Sequence, residues 1–458
     1  MFLLNYNIIN YSILNDYKFH IKETLKLAYP VVIGQLGHMM LGVVDSLMVG
    51  RLGAVPLAAS SLVNGLILLI MVLGIGMSVA LTPLVAIAKG SDKHDECGVI
   101  LRQGILVNLV FSFLLVIAIY FLADLVYYLD QPIEVAQYAE SYLKILNLSI
   151  IPFMIFQTYK QFSEGLSYTK PPMYILIFSN IVNIFGNWVL IFGNLGFPKL
   201  ELDGAGYSTL LTRVFIAVAI FIYVRKSKSF QEFDPTLKFR NINWPVIKRI
   251  IYLGVPGGFQ MFFEVGGFAF AAVMVGWLGT KELAAHQIAI NLASITFMVG
   301  IGISIAATIR VGHYLGKRDL EGIKRAGYAS LAIITIIMGF FGIMFFIFRD
   351  FLPTLYINDI EVIEIAASLI IIASFFQVVD GLQVVSVGIL RGLTDVNITM
   401  AIAFFAYWVI GLPVAYLLGF TYGYGAEGVW ASLVVGLSLA AILFILRFHN
   451  FLRKTKFD

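Results

Sequence analysis

Residues 27–53 read LAYPVVIGQLGHMMLGVVDSLMVGRLG, and residues 253–279 read LGVPGGFQMFFEVGGFAFAAVMVGWLG. Each stretch is mainly apolar and long enough to cross a hydrocarbon core of about 30 Å as a helix. Proline stands at the same place in both, at Pro30 and Pro256, and both stretches end in Val-Gly-x-Leu-Gly. These two stretches therefore predict a membrane-spanning helix that occurs twice, 226 residues apart.

The match continues past this helix with no gap. The further matching segments are 57–59 with 283–285, Gly74–Ser78 with Gly300–Ser304, and Gly90 with Gly316. An unbroken register through turns and prolines is poorly explained by chance. If each half has six spans, both halves enter the membrane in the same orientation. Parallel repeats of this kind pack around an axis along the membrane normal, leave a cleft and move by rocking.

Composition supports a membrane protein throughout the chain. Hydrophobic residues make up 60% and charged residues 13%, whereas soluble domains carry roughly a quarter charged residues. Twelve apolar segments long enough to span are predicted near 27–49, 57–84, 98–122, 137–159, 172–193, 204–224, 253–277, 283–309, 326–348, 361–387, 397–418 and 427–447. The predicted fold is all-α integral membrane, with twelve transmembrane helices in two six-helix repeats around a central cleft.

The charge distribution orients the spans and divides the chain. With the N-terminus placed inside, 25 of the 31 Lys and Arg residues fall on cytoplasmic segments, which the positive-inside rule requires. Both termini are therefore predicted to be cytoplasmic. The predicted parts are an N-terminal tail (1–20), an N-terminal lobe (21–224), a cytoplasmic linker (225–249), a C-terminal lobe (250–450) and a tail (451–458).

Three acids lie at least four residues inside a predicted span: Asp45, Glu264 and Asp380. A charge at mid-membrane costs several kcal/mol, so an intramembrane carboxylate is by default a functional hypothesis. The alternative is a protonated or hydrogen-bonded acid that only joins two helices. Burial raises the pKa of a carboxyl group and a bound cation lowers it, which suits an ion-coupled carrier.

Amides surround the two acids of the second half. Gln260 lies one turn before Glu264 on the same helix face, and Gln377 and Gln383 flank Asp380 at spacings of three. Two acids from separate helices, each beside amides, predict an oxygen-lined site for Na⁺ or protons.

The first half carries different polar groups. His38 occupies the position that matches Glu264. It is either a partner that takes up and releases a proton or a packing residue. Asn183 and Asn187 share a face of span 5, and Thr209 in span 6 is placed to meet them. Ordinary hydrogen bonding between helices is the alternative for these three residues.

Several activities have no sequence support. The chain has no Walker A loop, no His-Glu-x-x-His, no Gly-x-Ser-x-Gly and only one cysteine. An enzyme, a cofactor and a nucleic-acid partner are therefore not expected. Transport driven by an ion gradient is favoured over an ATP-driven pump.

Specific motifs resemble those of the multidrug and toxic compound extrusion (MATE) family, NorM-like branch. They are the stretch from Leu27 to Ala59, the stretch from Pro256 to Ala289, and the segments DGLQVV (380–385), GILRG (388–392) and YWVIGLP (407–413). The resemblance covers nearly the whole chain after about residue 20.

The resemblance implies a monomeric antiporter of a bacterial inner membrane, which exports lipophilic and often cationic drugs in exchange for Na⁺ or H⁺. It assigns Glu264 and Asp380 to a cation site in the second half and Asp45, with Asn183 and Asn187, to a site in the first half. Asn187 stands where some relatives have an acid, which leaves Asp45 as the only carboxylate of that site.

Two other functions remain as alternatives. A flippase for lipid-linked saccharides belongs to the same broader superfamily, but it needs basic groups for pyrophosphate. Only Lys144 and Arg213 lie more than five residues inside a predicted span. A passive channel is disfavoured by two halves with unlike charges.

Overall fold

A computed structural model describes residues 2–128, 131–237 and 242–457. Those residues form helices and connecting turns, with no strand among them. The α-helices, in chain order, are α1 Phe2–Gly50, α2 Ala54–Val79, α3 Leu81–Gly90, α4 His94–Leu122, α5 Ile133–Leu148, α6 Ile150–Gly165, α7 Lys170–Phe192, α8 Glu201–Lys226, α9 Lys228–Gln231, α10 Trp244–Leu278, α11 Thr280–Gly316, α12 Leu320–Ile347, α13 Ile360–Gly392, α14 Val396–Phe404, α15 Leu412–Tyr416 and α16 Gly425–Lys454. Phe405–Gly411 and Leu417–Thr421 are π-helical. Short 3₁₀ helices cover Ala123–Tyr128, Asn194–Gly196 and Leu352–Leu355.

The helices agree with the predicted spans. Within the described ranges, 11 helical segments are long and apolar enough to cross a membrane, and the pair α5 and α6, bent by 41°, brings the number to 12. Each predicted span falls on one of these segments. The all-α membrane fold is thus confirmed, whereas the central cleft stays a prediction.

Turn geometry agrees with the sequence repeat. Gly53 and Gly279, 226 residues apart, precede α2 and α11 and have φ angles of 124° and 158°, which lie in a region that favours glycine. Asp92 and Arg318, also 226 apart, have φ angles of 56° and 57°. Matching positions in the two halves therefore adopt matching backbone conformations.

The helices pack as two compact units that do not follow the predicted lobes. We call residues 33–259 the N-unit, and residues up to Val32 together with Gln260 onward the C-unit. The first part of α1 thus packs within the C-unit, and the first part of α10 packs within the N-unit. The lobe boundaries, 21–224 and 250–450, stay a prediction.

Glycine contacts explain this exchange of half-helices. In the N-unit, a Cβ on Gly76 of α2 would lie 2.2 Å from Gly258 Cα of α10. In the C-unit, a Cβ on Gly302 of α11 would lie 2.3 Å from Val32 Cγ2 of α1. Each pair is the 226-residue counterpart of the other, and small residues allow such close approach of membrane helices.

Part of the predicted linker is docked on the N-unit. Arg102 Nη1 donates to Asp234 Oδ2 at 2.8 Å, and Phe230 and Phe233 are buried. A hydrogen bond from Thr236, followed by the Arg102 contact, lowers the pKa of Asp234 below its usual range. Residues 238–241 of the predicted linker (225–249) lie outside the described residues.

The end of the predicted N-terminal tail is also helical and bonded. Arg310 of α11 donates to the His20 carbonyl oxygen at 2.5 Å and to Thr24 Oγ1 at 2.7 Å. Arg325 of α12 donates to Asp16 Oδ2 at 2.5 Å. These bonds, all inside the C-unit, hold the first part of α1 in place.

Candidate functional site

The C-unit brings together two of the three predicted acids. Glu264 projects from α10 and is partly accessible, whereas Asp380 of α13 is only 3% exposed. The two carboxyl groups are close enough to interact electrostatically. Gln260, one turn before Glu264, donates from Nε2 to Glu264 Oε2 at 2.8 Å. The helical spacing in the sequence therefore gave the correct neighbour.

The glutamines that flank Asp380 are fully buried. Gln377 Oε1 accepts a hydrogen bond from Thr296 Oγ1 at 2.7 Å, while Gln377 Nε2 has no partner among the described residues. Gln383 lies beside the Glu264 carboxyl group, and neither polar atom of its amide makes a hydrogen bond of ordinary length within the described chain. Buried polar groups are usually paired. The free amino group of Gln377 can therefore donate to a water or a carboxylate, and the free oxygen of Gln383 can accept from a water or bind a cation.

Tyr407 belongs to this site, although no sequence pattern assigned it a role there. Its hydroxyl is buried with no hydrogen-bond partner in the described ranges, and it lies near both Glu264 and Asp380. Tyr407 sits in the π-helical segment Phe405–Gly411, and π-helical turns often mark functional positions. Next to it, Trp408 Nε1 donates to the Phe263 carbonyl oxygen at 2.9 Å, which ties this segment to α10.

Arg391 is the second residue that the sequence did not assign. The predicted span ends at residue 387, which places Arg391 on a cytoplasmic segment, but α13 continues to Gly392 and Arg391 is helical. Its Nη2 donates to Gln260 Oε1 at 2.5 Å, and it interacts electrostatically with Glu264. The C-unit site therefore contains two acids and one guanidinium.

The N-unit assembles the other predicted residues around Asp45 of α1. Asn187 Nδ2 donates to Asp45 Oδ1 at 2.6 Å, and Thr209 Oγ1 donates to Asp45 Oδ2 at 3.4 Å. Asn187 Nδ2 also donates to Asn183 Oδ1 at 3.3 Å. Asn187 Oδ1 is buried with no partner among the described atoms. The predicted cluster of α1, α7 and α8 is thus present.

His38 lies apart from this cluster. Its ring stacks on Phe153 with ring centres 5.9 Å apart, and among the described residues no hydrogen bond joins it to Asp45. Arg213 of α8 stacks on the same phenylalanine at 5.0 Å and donates to Ser149 Oγ at 2.8 Å. Arg213 also interacts electrostatically with Asp45, so the N-unit site has one acid and one nearby cation.

Glu164 is a buried acid that lies outside both sites and outside the predicted spans. Glu164 of α6 is 1% exposed, and Lys160 Nζ lies 3.8 Å from its Oε1. The predicted span ended at residue 159, which assigned both residues to a loop. The pair lies inside the N-unit, where each charge compensates the other.

The chemistry of the two sites differs. The C-unit offers two carboxylates, a hydroxyl and amide oxygens, which are ligands that suit a hard monovalent cation or a proton. The N-unit offers one carboxylate held by amides and a hydroxyl. No group of three or more His, Cys, Asp or Glu residues suited to a metal ion occurs among the described residues.

Comparisons with known proteins agree with this architecture. The chain is 35% identical over 448 residues to "Probable multidrug resistance protein NorM" of Rhizobium meliloti, covering 96% of this chain and 95% of that protein. It is 36% identical over 431 residues to "Multidrug resistance protein MdtK" of Yersinia pseudotuberculosis, covering 93% and 94%. The crystal structure of the eukaryotic MATE transporter AtDTX14 has the same fold, with a TM-score of 0.87 at 21% identity, covering 96% of this chain and 98% of that one.

Up to twelve potential spans among the described residues, with acids inside them, are typical of a multi-pass membrane transporter. The MatE family model matches residues 30–189 and 256–417. The chain therefore belongs to the MatE family.

Proposed function

We propose that this protein is a secondary active antiporter that exports lipophilic, often cationic, drugs or toxic compounds in exchange for Na⁺ or H⁺. The observation that carries this proposal is the C-unit site, where Glu264 and Asp380 interact beside unpartnered polar atoms. Two of the relatives are named as multidrug resistance proteins. Ion-coupled export of drugs accounts both for the names of these relatives and for an ion-binding site in the membrane.

Glu264 and Asp380 are the proposed ion-binding acids. If both are ionised, Arg391 balances one of the two negative charges, and one Na⁺ or one proton balances the other. Gln377, Gln383 and Tyr407 supply polar atoms from α13 and the π-helical segment. An uncompensated charge in the membrane interior is costly, so the site favours the ion-bound form.

Asp45 is the proposed acid of the N-unit. Asn187, Thr209 and Asn183 hold it in place, and Arg213 supplies a nearby positive charge. Because Asn187 is neutral, Asp45 has no second acid beside it, and no cation is needed to offset repulsion between two carboxylates. We assign it a supporting role in coupling, and His38 a packing role on Phe153.

The protein is proposed to work as a monomer in a bacterial inner membrane with both termini in the cytoplasm. The excess of Lys and Arg on one set of segments supports this orientation. Reporter fusions at each terminus and on the 193–200 turn test it, since the termini and that turn should report opposite sides.

The saccharide flippase has less support. Pyrophosphate recognition needs available cations, but Lys144 pairs with Glu140 and Arg213 donates to Ser149. Binding of undecaprenyl pyrophosphate that is lost in Arg213→Gln, in a protein that does not export ethidium, is the result that favours the flippase.

Ethidium efflux from proteoliposomes tests the antiport proposal. Efflux should follow a Na⁺ gradient alone or a pH gradient alone, and the gradient that works identifies the coupling ion. The double variant Glu264→Gln with Asp380→Asn should lose this dependence. Glu361→Gln, an exposed acid paired with Lys281 on the same helix as Asp380, is the matched control and should transport normally. Efflux that persists with both gradients collapsed contradicts antiport.

A further inference from the structure

Arg391 contacts the coupling site through an amide. It lies one residue before the end of α13, and its guanidinium donates to Gln260 Oε1 at 2.5 Å. Gln260 in turn donates to Glu264 Oε2 at 2.8 Å. The three side chains form one chain of hydrogen bonds that ends on the acid.

The donor properties of arginine fix the direction of this chain. A guanidinium only donates, so Gln260 must turn its oxygen to Arg391 and its amino group to Glu264. Gln260 is 1% exposed, which leaves water little access to replace either bond. The Gln260 oxygen is thereby withheld from a cation, and its amino group stabilises Glu264 as an anion.

Charge acts in the same direction as the hydrogen bonds. When Glu264 and Asp380 are ionised and no ion is bound, Arg391 reduces the net charge of the site from two negative charges to one. Buried charges without partners cost several kcal/mol each. Arg391 therefore lowers the free energy of the ion-free site and repels an entering cation.

We propose that Arg391 is a positioning residue of the coupling site, which holds Gln260 as a donor to Glu264 and keeps cation affinity low enough for release. This inference rests on the proposed antiport function. The predicted orientation places Arg391, at the end of α13, on the cytoplasmic side of Glu264. An exported drug requires the coupling cation to leave on that side.

Cation titration of the purified protein tests the proposal without requiring transport. Trp408 contacts the backbone of α10 beside Glu264, so tryptophan fluorescence is followed against Na⁺ at fixed pH and against pH without Na⁺. In Arg391→Gln, the cation concentration at the midpoint should fall about tenfold, which corresponds to about 1.4 kcal/mol. Arg391→Lys keeps the charge and a donor and should stay within about threefold of the parent protein.

Arg447→Gln is the matched control. Arg447 is another arginine of the C-unit, donating to Asp395 Oδ2 at 2.6 Å, and its loss should leave the midpoint unchanged. In ion-driven efflux, Arg391→Gln should also lower the maximal rate, because the bound cation leaves more slowly. A folded Arg391→Gln protein with an unchanged or weaker cation midpoint overturns the proposal. Efflux from the parent protein that ignores both gradients instead refutes antiport, while the titration still decides the role of Arg391.

Discussion

A single substitution, Asn187→Asp, should convert the N-unit cluster into a cation site. Asn187 Nδ2 lies 2.6 Å from Asp45 Oδ1, so an aspartate there places two carboxylates at about that separation. At an effective dielectric constant of about 20, two unit charges 2.6 Å apart repel by about 6 kcal/mol. One proton or one Na⁺ removes this repulsion, so the N-unit of the variant should depend on cations more strongly than that of the parent protein.

Thermal unfolding in detergent measures this gain. The substitution is made together with Glu264→Gln and Asp380→Asn, so that the C-unit acids do not contribute. If Na⁺ at 100 times its Kd is present, binding stabilises the folded state by about 2.7 kcal/mol. For a unit of about 200 residues, this raises Tm by about 5–10 °C.

The control is Asn180→Asp in the same background. Asn180 lies two turns before Asn187 on α7 and donates to the Gly37 carbonyl oxygen at 3.0 Å, so its aspartate gains no second acid. Na⁺ should raise Tm in Asn187→Asp well beyond any change in this control, and K⁺ should have a smaller effect. Equal responses of the two variants to Na⁺ and to pH would refute the reasoning.

Three further outcomes concern stability. Gly76→Ala should cost about 1–3 kcal/mol by overpacking against α10, seen as a lower Tm, whereas Gly65→Ala, whose Cβ meets open space, should be neutral or slightly stabilising. Glu164→Gln should destabilise the folded protein by about 3 kcal/mol, because Lys160 stays buried without its acid. Adding Lys160→Met should recover much of this stability. A double variant as unstable as the single one contradicts the pairing. Because the pKa of Asp234 is lowered, the bonds of its carboxylate stabilise linker docking at neutral pH, and this stabilisation is lost as pH falls through that pKa. Protease cleavage of the linker should therefore increase at that pH. Asp234→Asn should cost about 0.2–1 kcal/mol and remove the pH dependence of cleavage.

The sequence allowed correct prediction where a local rule sufficed. Helical spacing placed Gln260 beside Glu264 and Asn183 beside Asn187, because residues four apart share a helix face. The scarcity of acids inside apolar spans singled out Asp45 and Asp380. These predictions needed only one helix at a time.

The residues that were missed depend on helix ends or on tertiary packing. Arg391 and Glu164 lie beyond the predicted spans, which end at residues 387 and 159, whereas the helices that carry them continue to Gly392 and Gly165. Tyr407 resembles many other aromatic residues of a membrane protein until the π-helical segment brings its hydroxyl to Glu264. Packing across helices, rather than residue type, decides such positions.

The division of α1 at Val32 and of α10 at Gln260 has a consequence for how the chain is made. The N-unit remains incomplete until Phe259 has been synthesised, and the start of α1 must wait for helices encoded much later. Long-range partners of this kind slow folding, because loop closure precedes the contacts that reward it. Two separate six-helix chains that exchanged these same segments would form a domain-swapped dimer. The single polypeptide has the segment exchange of such a dimer within one chain.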